Sequence, residues 1–125
     1  MSTPEQKSQS VLSRLLDASE AGLIAWVKRE PESFRHGFAD GSSVVIDSRD
    51  DDGGSPFDLL IYNPDGELLS GVYWSGSGAG VATPTDALLR QLYQLARGEA
   101  LGVSKGLDTI LSEIPKPPSD DDIPF

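Results

Sequence analysis

Two turn signals divide the middle of the chain and restrict its fold more than any other feature. Ala39-Asp40-Gly41-Ser42 and Asn63-Pro64-Asp65-Gly66 each lie between short runs rich in β-branched and aromatic residues. An Asp-Gly pair supplies the positive backbone dihedrals of a tight hairpin. Pro followed two positions later by Gly suits a type I turn that returns the chain antiparallel. The first signal predicts strands over residues 34–38 and 43–47, and the second predicts strands over 57–62 and 68–74. Residues 23–28, with Ile24, Trp26 and Val27, read as a further strand that Pro31 closes. Residues 48–56, with three consecutive aspartates and two glycines, read as a solvated loop.

Helical periodicity brackets this block. Thr3 and Pro4 have the character of a cap and a first helical position, and Val11, Leu12, Leu15 and Leu16 then share one face up to about Gly22. Thr83, Pro84 and Asp86 repeat the start signal, with the carboxylate suited to the helix dipole. Leu88, Leu92, Leu95 and Ala96 form the apolar stripe that follows, and Arg90, Gln91, Gln94 and Arg97 form the polar side. Leu107, Ile110, Leu111 and Ile114 recur at i, i+3, i+4, i+7, a short amphipathic helix that stops at Pro115. The expected fold class is α+β: a mostly antiparallel sheet of about five strands with an N-terminal helix and two C-terminal helices packed on it. The organisation is an acidic domain over residues 1–114 and a flexible Pro-rich acidic tail over 115–125.

At 125 residues and 13.3 kDa the chain has room for one core. Hydrophobic residues make up 38% and charged residues 24%, a composition that folds rather than stays disordered. Cysteine is absent and His36 is the only histidine, which excludes disulfides, thiolate nucleophiles, Cys-ligated zinc and His-based triads. The reading carries no catalytic residue, no metal ligand and no cofactor, and the chain is expected not to be an enzyme. No run approaches the roughly 20 apolar residues of a membrane span, and residues 1–10 lack the apolar stretch of a signal peptide, so the expected location is the cytoplasm.

The formal net charge is −10, and residues 1–114 alone carry 17 acidic and 9 basic side chains. Such a body repels a phosphate backbone, so direct nucleic-acid binding is not expected. Three other signals have structural explanations. Gly76, Gly78 and Gly80 join a strand to a helix without dinucleotide-fingerprint spacing or a Walker lysine, and read as a flexible connection. Asp50, Asp51 and Asp52 precede Gly53, but calcium-loop alignment places Ser48 and Leu59 at ligand positions. Trp26, Tyr73, Trp74 and His36 read as core or cross-strand residues.

The last six residues are Asp120, Asp121, Asp122, Ile123, Pro124 and Phe125. This sequence resembles the acidic tip that ends bacterial single-stranded DNA-binding proteins. In that family the tip docks genome-maintenance proteins, including repair helicases, exonucleases, recombination mediators and replication-restart factors, and the resemblance implies a partner of that class. The likeness covers the tip alone. The body lacks the basic, aromatic-lined barrel face with which such proteins bind single strands. It is similar to small uncharacterised bacterial proteins, a likeness that attaches no function.

The chemistry of the tip supports docking. Phe125 offers a ring for an apolar pocket and a free carboxylate for a basic residue at its lip. Burying the ring contributes roughly 1.5 to 3 kcal/mol, and each exposed aspartate on a basic rim about 0.2 to 1 kcal/mol. Pro124 limits the conformations lost on binding, Ile123 adds an apolar contact, and the aspartates steer. The expected function is a non-enzymatic interaction module of bacterial or phage DNA metabolism, with a helicase, nuclease or recombination mediator as partner. The alternative is an acidic inhibitor of the antitoxin or immunity type, whose body covers a basic site on its target.

Overall fold

A computed structural model describes residues 3–30, 32–50, 52–75, 81 and 83–115, with backbone alone at 103 and 104. The element order is α1 (Pro4–Glu20), β1 (Val27–Glu30), β2 (Ser33–Gly37), β3 (Ser43–Ser48), β4 (Phe57–Tyr62), β5 (Leu68–Tyr73), α2 (Pro84–Ala100) and α3 (Val103–Glu113). The five strands form one sheet in chain order, every neighbouring pair antiparallel. The arrangement is the α+β class that the alternation of turn signals and helical stripes predicts.

Both long helices start where their caps place them. In α1 the Thr3 hydroxyl accepts the Gln6 amide at 3.2 Å while the Gln6 side chain accepts the Thr3 amide at 2.9 Å, a reciprocal capping box ahead of Pro4. In α2 the Thr83 hydroxyl accepts the Asp86 amide at 3.1 Å. The hairpin signals also hold. Gly41 (φ 94°) and Gly66 (φ 83°) occupy the left-handed region their turns require, and Gly66 N–H donates to the Asn63 carbonyl at 3.0 Å.

One face of the sheet carries the core. Phe34, Val44, Ile46, Leu59 and Val72 project from it onto Leu12, Leu15 and Leu16 of α1 and Leu89, Leu92, Tyr93 and Ala96 of α2. α1 lies against β5 and α2, and α2 crosses β1 to β4. α3 attaches to this layer through α2. Among the described residues no helix covers the opposite sheet face, which Arg35, Val45, Leu60, Tyr62 and Tyr73 share by the period-2 alternation of their strands.

Two sequence expectations shift. The first strand begins at Val27, not residue 23, because residues 23–26 are occupied otherwise. The Ala25 carbonyl accepts His36 Nδ1–H at 2.8 Å, and Trp26 turns inward with its indole N–H donating to the Ser19 hydroxyl at 3.0 Å. The buried side of α2 is centred on Leu89, Leu92, Tyr93 and Ala96, while Leu88 and Leu95 are only partly buried. The helix is covered by α1 as well as by the sheet, so its apolar arc is wider than a single stripe.

Candidate functional site

The tip residues Asp120, Asp121, Asp122, Ile123, Pro124 and Phe125 lie outside the described residues, as do Gly76, Gly78, Gly80 and Asp51. The chain reaches the tail through α3, whose apolar stripe is not buried. Leu107, Ile110, Leu111 and Ile114 are 55 to 66% exposed. Beside them a groove of about 590 Å³ runs between the end of α1, α2 and α3, lined by Gly22, Leu95, Gly98 and Leu107. Among the described residues the buried core draws on Leu12 through Ala96.

The remaining sequence candidates serve the fold. His36 is half-buried, edge-on to Trp26 and Phe38, and its Nδ1 is engaged by Ala25. Trp26 and Trp74 are buried, whereas Tyr73 is half-exposed and lies across Gly71, where a Cβ would meet its ring at 2.6 Å. Asp52 shapes its own loop, accepting the Gly54 amide at 2.8 Å and the Ser48 hydroxyl at 3.3 Å. Among the described residues no group of three His, Asp or Glu side chains is placed to hold a metal ion.

The structure brings together residues that no motif connects in sequence. At the lower end of the sheet, α2 and the β3–β4 loop enclose a cleft of about 720 Å³. Tyr93 forms its floor, stacked on Phe57 at 4.4 Å between ring centroids. Its hydroxyl donates to Glu32 at 2.6 Å, and Arg97 Nε stands 3.9 Å from the same carboxylate. Burial and the neighbouring Glu32 carboxylate push the Tyr93 phenol well above its ordinary value, so it stays a neutral donor. Arg90 sits over the Trp74 ring at 5.5 Å. The cleft therefore mixes both signs of charge, with Glu32 and Asp52 facing Arg90 and Arg97.

On the helix-free face the two hairpin tips meet, Gly41 against Pro64, and close the back of a smaller cleft of about 240 Å³. Val45 and Ser43 of β3 and Tyr62 of β4 also line it, together with Arg29 and Arg35. The register explains the convergence, because Arg35 pairs with Val45 and Ser43 pairs with Tyr62. Further down this face Asp58 accepts Arg49 Nε at 2.9 Å, Arg49 Nη2 at 2.8 Å and the Trp74 amide at 3.1 Å. That bidentate pairing raises the Arg49 guanidinium above its usual range.

No protein-family model matches the chain, and comparisons with curated proteins and with solved structures return no significant match.

Proposed function

We propose that the chain is a non-enzymatic interaction module of bacterial or phage DNA metabolism, and that Asp120, Asp121, Asp122, Ile123, Pro124 and Phe125 dock a genome-maintenance protein through a basic-rimmed apolar pocket. The observation that carries this reading is the run Asp-Asp-Asp-Ile-Pro-Phe, in which an aromatic anchor follows three acids that steer. One feature is consistent with it. The acidic body does not favour nucleic acid, so a role in DNA metabolism passes through a protein.

The test is direct binding of the full chain to purified helicases, exonucleases and recombination mediators that take the tail of single-stranded DNA-binding protein. The expected affinity is on the order of micromolar. Phe125→Ala should weaken it by roughly 10 to 100-fold, the loss that removal of a buried ring produces, and leave the circular-dichroism spectrum unchanged. A peptide of the last six residues should compete. Binding that survives Phe125→Ala and disappears with added salt would overturn the proposal and move the function to the acidic body, as an inhibitor of a basic target.

A further inference from the structure

The cleft at the hairpin tips departs from the electrostatics of the rest of the molecule. The chain carries 20 acidic and 10 basic side chains, yet the lining of this cleft contains Arg29 and Arg35 and no carboxylate. The lining of the lower cleft, by contrast, holds Glu32 and Asp52 alongside Arg90 and Arg97. Among the described residues neither Arg29 nor Arg35 has an ion-pair or side-chain hydrogen-bond partner, and the hydroxyls of Ser43 and Tyr62 have none either. Four donor groups thus line one concavity with no acceptor side chain assigned to them.

Three nearby acceptors are engaged elsewhere, and Asp65, between the lining residues Pro64 and Gly66, does not itself line the cleft. Asp40 turns back into its own hairpin and accepts the Ser42 amide at 2.9 Å and the Ser42 hydroxyl, contacts that hold its carboxyl below the ordinary value. Asn63 and Glu67 satisfy each other, the Asn63 amide donating to the Glu67 carboxylate at 3.2 Å and the Glu67 N–H to Asn63 Oδ1 at 2.9 Å. The position of Arg35 is also built in. Its guanidinium lies over Gly37, where an added Cβ would stand 3.1 Å from Nη1.

We infer that this cleft is an oxyanion site that takes the phosphate of a phosphomonoester. The donor set selects the class. Two guanidiniums and two hydroxyls offer more hydrogen bonds than the two oxygens of one carboxylate absorb, whereas a phosphomonoester presents three terminal oxygens and a charge of about −1.5 to −2 at neutral pH. The volume of about 240 Å³ holds the phosphate and leaves its ester substituent at the mouth. The overall negative field opposes any anion, so the affinity must come from these local contacts rather than from long-range attraction. This site is independent of the tail and of the reading given above for it.

The experiment is an amide chemical-shift titration of the isotopically labelled full chain with inorganic phosphate, O-phosphoserine and adenosine monophosphate, with succinate as the carboxylate control. The expected result is a saturable shift confined to Gly41, Ser43, Tyr62 and Gly66 with the phosphates, and a response to succinate at least about tenfold weaker, since charge-assisted hydrogen bonds are lost. Binding of either ester at least as tight as that of inorganic phosphate supports the assignment, whereas binding of inorganic phosphate with no response to the esters would overturn it. Arg35→Gln and Arg29→Gln should each weaken the phosphate response about tenfold or more, with other amide positions unchanged as proof of folding. Gly37→Ala, which displaces the Arg35 guanidinium, should weaken it less. An absence of saturable shifts, an equal response to succinate, or a response that persists in the Arg29→Gln, Arg35→Gln double variant would overturn the proposal.

Discussion

Helices α2 and α3 follow one another in the chain and show the same kind of apolar spacing, yet they end in opposite environments. Leu89, Leu92 and Ala96 of α2 are fully buried between α1 and the sheet, whereas Leu107, Ile110, Leu111 and Ile114 of α3 are more than half exposed. A repeat of i, i+3, i+4, i+7 reports which side of a helix is apolar. What covers that side depends on the neighbours the connection allows. The long connection before α2 returns it across β1 to β4. Only Leu101 and Gly102, the latter at φ 62°, separate α2 from α3, and so short a joint keeps α3 at the flank of α2. The difference locates stability in the first helix and leaves the second as a surface.

Substitutions should separate the two. Leu92→Ala, which opens a cavity in the core, is expected to cost about 2 to 5 kcal/mol in urea unfolding. Asp86→Ala should cost about 2 kcal/mol, because the fully buried carboxylate at the start of α2 accepts the Ser75 amide at 2.9 Å and its loss strands that donor. A cost near zero would show that water takes over the contact.

Tyr93→Phe should cost about 1 kcal/mol at neutral pH through the hydrogen bond to Glu32. Its deficit should shrink as the pH rises past 10. The native phenol is held above its ordinary value, so the unfolded chain ionises first and wild-type stability falls with rising pH, a loss that Phe does not suffer. A deficit unchanged between pH 8 and pH 11 would remove Tyr93 as the source of alkaline instability. The smallest effect belongs to α3, where Leu111→Ala should stay within about 0.5 kcal/mol. A loss comparable to that of Leu92→Ala would mean that the α3 face is covered in solution, and the contrast between the helices would fail.

The elements legible in sequence are those fixed by contacts a few residues apart. Thr3 with Gln6, Thr83 with Asp86 and Asn63 with Gly66 are local pairs, and β4 falls on residues 57–62 as its composition requires. The first strand starts at Val27 rather than residue 23 because Ala25 and Trp26 are claimed by His36 and Ser19, partners 11 and 7 residues away. The two clefts were not legible at all. Arg35 meets the Asn63-Pro64 turn only after three strands have paired, and Glu32 meets Tyr93 across 61 residues. Alternation could have placed Arg35 and Val45 on one face, but no spacing rule connects either residue with Tyr62. The tip residues lie outside the described residues, so their reading rests on the sequence.

The sheet runs in simple chain order, each strand beside its predecessor, with connections no longer than the eight residues of 49–56. Closing such short loops costs little entropy, so the meander can assemble hairpin by hairpin before any distant contact forms. The longest-range contacts are those of α2 with α1 and with β1, which join opposite ends of the chain. A chain still emerging from the ribosome would therefore carry a paired sheet that α1 can begin to cover, with the part of its core face that α2 crosses left bare until α2 is made.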